Sequence, residues 1–130
     1  MSDEMDNGGG ENRKKIAFVM RRAPHGSIYS YEGLETALIV AAYEQDLSLI
    51  FTGDGVFALI AAQDTSALGV KGFIKTYRAL DGYDVNKIYV DRESMERRGL
   101  KPEDFIIPVE IKEAAQIAAI IEEQHATIPY

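Results

Sequence analysis

The sequence predicts one α/β domain, a three-layer sandwich built on a mainly parallel sheet of about five strands. Short continuous apolar runs, typical of strands that are covered on both faces, alternate with segments whose apolar residues recur at helical spacing. The connections between them are short, which favours parallel pairing through right-handed crossovers. The chain has 130 residues, which suffice for one such domain and leave no room for a second.

The first half of the domain is predicted as strand, helix, strand, helix. Residues Lys15–Met20 form the first buried strand. A helix capped by Ser30 follows, and one of its stripes is lined by Leu34, Leu38, Ala41 and Gln45. The second strand, Leu47–Phe51, ends at the turn Gly53-Asp54-Gly55, after which a second helix is expected from residue 56 to residue 62.

After the second helix, a loop is predicted over residues 63–71. The next helix stops at Asp81-Gly82 and carries apolar residues at helical spacing, namely Phe73, Tyr77 and Leu80. A third strand is predicted at Ile88–Val90 and a short helix from Asp91 to Arg98, with Gly99 just after it. Acids near the start of this helix and arginines near its end suit the helix dipole.

The last part of the chain is predicted as strand, helix, strand. The fourth strand spans Phe105–Val109 and is weakened by Pro108. The helix that follows, from Glu113 to Glu123, is apolar around much of its circumference, and its inward residues are Ala114, Ile117, Ala118 and Ile121. Such a helix indicates either a thick core or a subunit interface. Residues 126–130 form a last strand, which Pro129 assigns to an edge or an end.

Residues 1–13 are predicted to be a disordered acidic, glycine-rich tail, and residues 14–130 the single domain. The tail has three consecutive glycines, four carboxylates and only methionine as an apolar residue type. The chain has 21 acidic and 14 basic residues, and 17 acidic and 13 basic residues remain when the four acids and one arginine of the tail are subtracted. This negative charge disfavours direct nucleic-acid binding, because lysine and arginine supply most of the affinity for phosphates.

The chemistry open to the chain is limited by what its sequence lacks. It contains no cysteine, which excludes a thiolate nucleophile, a disulfide and a sulfur-ligated metal. Its two histidines, His25 and His125, have no partner at metal-ligand spacing, so neither a metal nor a cofactor is expected. No apolar run is as long as a membrane span and no secretory signal is recognised, so we expect a cytoplasmic protein without membrane contact.

The segment FTGDGVFALI, residues 51–60, matches a relaxed dinucleotide-binding fingerprint through Gly53, Gly55 and Ala58. This fingerprint should follow the first strand and be followed by an acid about 20 residues later, and neither condition is met. Asp54 would also place a negative charge where a pyrophosphate approaches. We interpret the segment as a tight turn in which Asp54 caps the next helix.

The loop after the first strand is the best candidate for a site, because ligands of doubly wound sheets gather beyond the carboxyl ends of the strands. With the N–H groups of a helix start, its polar residues could hold a small anion. The candidates are Arg21, Arg22, His25, Gly26 and Ser27. The alternative is that Pro24 and Gly26 only shape the turn while the arginines remain solvated.

Several segments, taken in order, resemble the DsrF/TusC subunits of sulfur-relay complexes, within the DsrE/DsrF-like (DsrEFH/TusBCD) family. They are IAFV at 16–19 with APHG at 23–26, EGLE at 32–35, DGVF at 54–57, TYRAL at 76–80, IYV at 88–90 and RGL at 98–100. The resemblance covers the chain from about Lys15 to Tyr130. The stretches QDT at 63–65 and YVDRES at 89–94, with Lys71 and Tyr77-Arg78, are closer to the DsrF branch of sulfur oxidation than to the TusC branch.

The resemblance implies a flavodoxin-like, DsrEFH-like fold and an α2β2γ2 heterohexamer with DsrE/TusD-like and DsrH/TusB-like partners. Sulfur travels in this family as a persulfide on cysteines of those partners and of downstream carriers, so a chain without cysteine is implied to be a non-catalytic subunit that supports a partner's acceptor cysteine. TusC-type subunits serve instead the 2-thiolation of a tRNA wobble uridine. An alternative of another class is an independent small-anion or nucleotide-binding protein.

The resemblance also gives the Gly-Asp-Gly segment a structural interpretation. The residues Asp54, Gly55, Val56 and Phe57 are implied to be a family turn between the second strand and its helix. The apolar helix behind this turn, with Leu59 and Ile60, is expected to help form the subunit contact.

Overall fold

Five strands form one sheet in the computed structural model, which describes residues 13–21, 29–43, 45–60, 78–83, 85–105 and 107–130. The strands are β1 (Lys15–Met20), β2 (Asp46–Phe51), β3 (Lys87–Asp91), β4 (Glu110–Lys112) and β5 (Ala126–Pro129). Their order across the sheet is β4-β3-β2-β1-β5, and each neighbouring pair is parallel. The predicted α/β fold with a mainly parallel, five-stranded sheet is confirmed.

Helices connect these strands. The α-helices are α1 (Tyr29–Ala42), α2 (Arg92–Arg97) and α3 (Ala114–Glu122), and 3-10 helices span Gly53–Leu59 and Pro102–Asp104. Residues 78–82 are also helical, which agrees with the predicted end of a helix there. None of the helices in the described part of the chain is long and apolar enough to cross a membrane.

Three layers follow from the order of the strands. The chain moves one place in the same direction from β1 to β2, to β3 and to β4, so right-handed crossovers put the described connecting helices of these steps on one face. The step from β4 to β5 runs back across the sheet and puts α3 on the opposite face. Packing agrees, because buried residues of α1, α2 and residue 80 join one core cluster and Ile117 of α3 joins the other.

The larger core cluster lies on the α1 and α2 face of the sheet. Strand residues of alternating positions supply its centre, and the bulkiest that are completely buried include Phe18, Met20, Leu49 and Phe51. The smaller cluster, on the α3 face, consists of Ala17, Val19, Ile50 and Ile117. This clean alternation shows that each central strand is covered on both sides, as its continuous apolar sequence predicts.

The fourth strand differs from the sequence prediction, since it begins at Glu110 and not at Phe105. Phe105 instead makes an isolated antiparallel bridge with Ile60. Pro108 has no N–H group to donate to a strand ladder, and pairing with β3 starts only after it, where Glu110 lies opposite Tyr89. Proline therefore moves the start of this strand towards the C-terminus.

The inward face predicted for the last helix is partly wrong. Ile117 is buried and Ile121 is half-buried, but Ala114 and Ala118 are exposed. Among the described elements α3 is the one helix on its face of the sheet, so only its sheet-facing side has a surface to pack against. The apolar character of its other side does not reflect burial within the described part of this chain.

The boundaries of α1 also differ from the prediction. The helix begins at Tyr29, so Ser30 lies in its first turn and not at the N-cap. Gln45 lies beyond its end, where the side-chain Oε1 accepts a hydrogen bond of 2.6 Å from the backbone N–H of Lys14. The predicted loop at 63–71, the helix positions 73 and 77, and residues 1–12 of the predicted tail lie outside the described residues.

Tyr89 of β3 lies on the α3 face of the sheet. Its ring packs against the smaller core cluster, and the ammonium of Lys112 lies 5.7 Å from the ring centre. Burial raises the pKa of the Tyr89 hydroxyl above its usual value of 10.0, and the negative charge of Glu110 raises it further, while Lys87 and Lys112 act in the opposite direction. The neutral hydroxyl is thus favoured in the folded chain.

This shift makes the free energy of unfolding sensitive to alkaline pH. Since the pKa of Tyr89 is higher in the folded state, its contribution is complete below the unfolded-state pKa and is lost as the pH rises through the folded-state pKa. We expect Tyr89→Phe to lose less stability than the wild type between about pH 9 and pH 11 in urea denaturation. Tyr43→Phe, on a side chain that is 74% exposed, controls for loss of a hydroxyl. Equal alkaline losses in wild type and Tyr89→Phe would contradict the assignment.

Candidate functional site

The carboxyl ends of β1, β2 and β3 lie side by side at one edge of the sheet, because the three strands are neighbours and parallel. Arg21 follows β1, Thr52 follows β2, and Asp91 ends β3. Open parallel sheets bind their ligands at this edge. The polar residues that follow these strands are therefore the first place to look for a function.

Of the predicted loop site, the described residues include only Arg21. Arg21 is exposed at the end of β1. Its backbone N–H donates a hydrogen bond to the carbonyl of Tyr130, with 3.4 Å between the nitrogen and the oxygen. Arg22, His25, Gly26 and Ser27 lie outside the described residues. The positive charge of Arg21 is thus placed at the carboxyl edge.

The Gly-Asp-Gly segment packs directly against the end of β1. The N–H of Thr52 donates to the carbonyl oxygen of Met20 at 3.0 Å. A Cβ atom added to Gly55 would lie 2.0 Å from that same oxygen, whereas Gly53 adopts a φ of +57°, in the left-handed region that glycine tolerates best. Close backbone approach and turn geometry account for both glycines.

The sequence predicts that Asp54 caps the helix that follows it, and this prediction is wrong. The 3-10 helix starts at Gly53, inside the predicted turn, and Thr52 occupies its N-cap position without a capping hydrogen bond from its side chain. The Asp54 carboxylate instead accepts from Nε of Arg98 at 3.0 Å, and a second guanidinium nitrogen lies 2.9 Å from the same oxygen. The choice of partner depends on a contact between residues 44 positions apart, which no local pattern indicates.

Ser94 of α2 and Arg98, the residue directly after this helix, hold the turn in place. The Ser94 hydroxyl accepts from the N–H of Gly53 at 2.8 Å and donates to the Asp91 carboxylate at 2.5 Å. The Arg98 guanidinium, which also pairs with Asp54, donates to the carbonyl of Ser94 at 3.1 Å. We call this set of residues the turn–helix junction: Thr52, Gly53, Asp54, Asp91, Ser94 and Arg98.

The turn–helix junction was not predicted from the sequence. The sequence does show acids near the start of the helix that became α2. One of them, Asp91, caps α2 by accepting a hydrogen bond from the N–H of Ser94 at 3.1 Å. The only local signal for Ser94 is its position three residues after this cap. The hydrogen bond between Ser94 and Gly53 joins residues 41 positions apart, and no sequence pattern around either residue predicts this pairing.

Some of the residues predicted for a subunit contact are buried within this chain, and others are accessible. Val56 and Leu59 are completely buried in the larger core cluster of this chain. Phe57 and Ile60 are half-buried and Asp54 is exposed, so these side chains retain surface that another chain can reach. The burial of Val56 and Leu59 gives them a role in the stability of this chain whatever binds outside it.

The chemistry of this edge combines bonded polar groups with the exposed cation Arg21. The hydroxyl of Ser94, the carboxylates of Asp91 and Asp54, and the guanidinium of Arg98 all bond to one another or to backbone groups. Within the described ranges, no three histidine, acidic or cysteine side chains lie close enough together to hold a metal ion. Arg21 is exposed and can present positive charge outwards from this edge.

Comparison with known proteins finds one family model and several relatives that match most of the chain. The model of the DsrE/DsrF-like family matches residues 14–130. The intracellular sulfur oxidation protein DsrF of Allochromatium vinosum is 48% identical over 93 residues, which cover 72% of this chain and 68% of that protein. A TusC homolog of Vibrio vulnificus is 34% identical over 107 residues, covering 82% of this chain and 91% of that protein.

A solved structure agrees with the fold. The crystal structure of the ychN protein from E. coli matches with a TM-score of 0.75 and 22% sequence identity, covering 90% of this chain and 99% of that chain. At this identity the likeness concerns the architecture of the sheet and its helices.

Proposed function

The chain belongs to the DsrE/DsrF-like family, and from this premise we propose that it is a non-catalytic subunit of a cytoplasmic sulfur-relay complex of the DsrEFH type. Its partners are a DsrE/TusD-like and a DsrH/TusB-like subunit in an α2β2γ2 heterohexamer. The complex passes sulfur as a persulfide to a downstream carrier. The observation that carries this proposal is the 48% identity to a protein named for intracellular sulfur oxidation.

The role within the complex follows from the absence of thiols. A persulfide forms on a cysteine, and the 130 residues of this chain include none. Sulfur must then be held by a partner, and this chain acts on it only through its surface. The proposal therefore assigns the chain to assembly and to the environment of a partner's acceptor cysteine.

A positive charge beside a thiol is the simplest way to act on it. Cationic side chains and helix N-terminal N–H groups lower the pKa of a neighbouring cysteine because they stabilise the thiolate. Arg21 is exposed at the carboxyl edge of the sheet, and Arg22 follows it in sequence. We assign these two arginines, with the start of α1, to the environment of the partner's acceptor thiol.

Assembly is tested by co-expressing this chain with its E-type and H-type partners and measuring the complex by native mass spectrometry. We expect a mass that fits two copies of each of the three subunits. Phe57→Asp, which puts a charge on a half-buried side chain next to the turn, is expected to reduce assembly, with the exposed Tyr83→Asp as its control. Chains that fold and never associate would contradict the proposal.

The electrostatic role is tested on the assembled complex by the pH dependence of alkylation of the partner's acceptor cysteine. We expect the double variant Arg21→Ala/Arg22→Ala to raise the pKa of that thiol by about half a unit to one unit. The matched control, Arg97→Ala/Lys101→Ala, removes the same charge from two other exposed residues. A thiol pKa that is the same in wild type and in Arg21→Ala/Arg22→Ala would rule this role out.

A TusC-type role is the second candidate, favoured by the 34% identity to a TusC homolog over 107 residues. In this case the sulfur would go to a tRNA wobble uridine. Nucleoside mass spectrometry of tRNA from cells with and without this chain separates the two roles. Unchanged 2-thiouridine supports the sulfur-oxidation role, and its loss supports the TusC role.

A further inference from the structure

The turn–helix junction and the end of β1 form one continuous set of backbone contacts. The Ser94 hydroxyl bonds to the N–H of Gly53, and the next residue back, Thr52, donates its own N–H to Met20. On the other side of the turn, Gly55 lies so close to Met20 that no side chain fits between them. A shift of the turn is therefore transmitted directly to the backbone from which Arg21 projects.

The junction is built to resist such a shift. Ser94 is only 7% exposed, and its hydroxyl is held from two sides by Asp91 and by Gly53. Arg98 bridges Asp54 of the turn and the carbonyl of Ser94 in α2 with one planar guanidinium. Two bonded contacts at different points of the turn restrain both its position and its orientation relative to α2.

We propose that Ser94 and Arg98 are positioning residues, which hold the turn against the end of β1 and so set the direction in which Arg21 presents its charge to the partner's thiol. The inference rests on the proposed function for its last step only. Neither residue touches the thiol, and neither supplies the charge that acts on it. Their effect passes through Gly53, Thr52 and Met20.

The mechanical part is tested on the isolated full chain by amide hydrogen exchange measured with NMR. We expect Ser94→Ala and Arg98→Ala to speed the exchange of the Thr52 amide by roughly fivefold or more, the factor that corresponds to one ordinary hydrogen bond. Arg97→Ala is the matched control, because Arg97 lies on the same helix and bonds to Glu93, away from the turn. Exchange at Thr52 no faster than in Arg97→Ala would overturn the inference.

The functional part is tested on the assembled complex through the alkylation pKa of the partner's thiol. Ser94→Ala changes no charge, so a raised thiol pKa at unchanged complex mass reports a change of position and not of electrostatics. Arg98→Ala is expected to raise the thiol pKa more than Arg97→Ala, which removes the same charge. A thiol pKa unaffected by Ser94→Ala, in a complex where Arg21→Ala raises it, would overturn the positioning role.

The two tests separate this inference from the function that it extends. If Arg21→Ala/Arg22→Ala leaves the thiol pKa unchanged, the electrostatic step of the proposed function is wrong, and exchange at Thr52 still decides whether the junction holds the end of β1. If Arg21→Ala/Arg22→Ala raises the pKa and Ser94→Ala does not, the function survives and the positioning role does not.

Discussion

Gly55→Ala is expected to destabilise the chain by about 3 kcal/mol, at the upper end of the range for overpacking. A Cβ at this position would lie 2.0 Å from the carbonyl oxygen of Met20 and 2.6 Å from its carbonyl carbon. Both atoms belong to the backbone at the end of β1, which is paired on both sides by β2 and β5, so no flexible side chain can move aside. Either the turn or the strand end has to shift.

Urea denaturation of Gly55→Ala measures this loss, and Gly82→Ala provides the control. Gly82 lies at the end of the helical residues 78–82, and nothing lies within 4 Å of the Cβ that it would gain. Alanine is favoured over glycine in a helix and reduces the entropy of the unfolded chain, so Gly82→Ala should stabilise by about 0.5 kcal/mol. A Gly55→Ala chain within about 1 kcal/mol of wild type would show that the turn can retreat from β1.

Phe18→Ala is expected to cost about 3 to 5 kcal/mol of unfolding free energy. Phe18 lies in the middle of β1, is fully buried in the larger core cluster, and stacks on Tyr130 with 6.0 Å between ring centres. Truncation removes the packing of a whole ring and leaves a cavity between the sheet and its helices. The stacking contact that helps hold the C-terminal residue against the core is lost as well.

The same denaturation experiment on Tyr43→Ala shows whether the loss comes from burial. Tyr43 follows α1 and is 74% exposed, so removal of its ring is expected to change stability by no more than about 0.5 kcal/mol. Similar losses for Phe18→Ala and Tyr43→Ala would contradict the assignment of Phe18 to the core. Both measurements use the isolated chain, so a partner surface around Tyr43 does not enter the result.

The elements predicted best from the sequence are those whose signal is local. Each of the strands β1, β2 and β3 carries a short, mostly apolar run, and each lies inside the sheet with a neighbouring strand on either side. The α2 segment has its capping aspartate, its charge gradient and the glycine after its end within nine residues, and Gly99 does adopt a positive φ of 70°. Periodicity and capping act between near neighbours, so they can be read directly.

The predictions that are wrong depend on contacts with distant residues. Asp54 is well suited to cap a helix, but Arg98 is close enough to bind it. Ala114 and Ala118 belong to an apolar helix, yet they remain exposed because no described element covers that side of α3. The fourth strand starts after Pro108 because that is where pairing with β3 becomes possible.

By itself the sequence determined the fold class, most of its elements and the absence of any thiol that could carry sulfur, because apolar spacing, turn residues and composition are local or additive properties. Only the tertiary structure decided which strands are neighbours, which side of α3 is covered, and that Ser94 and Arg98 hold the turn against β1. The physical reason is that the type and spacing of residues show which side chains favour burial and which need a hydrogen-bond partner, but not which partner they find. The partner that a side chain finds depends on how parallel strands bring residues 41 to 44 positions apart to the same edge.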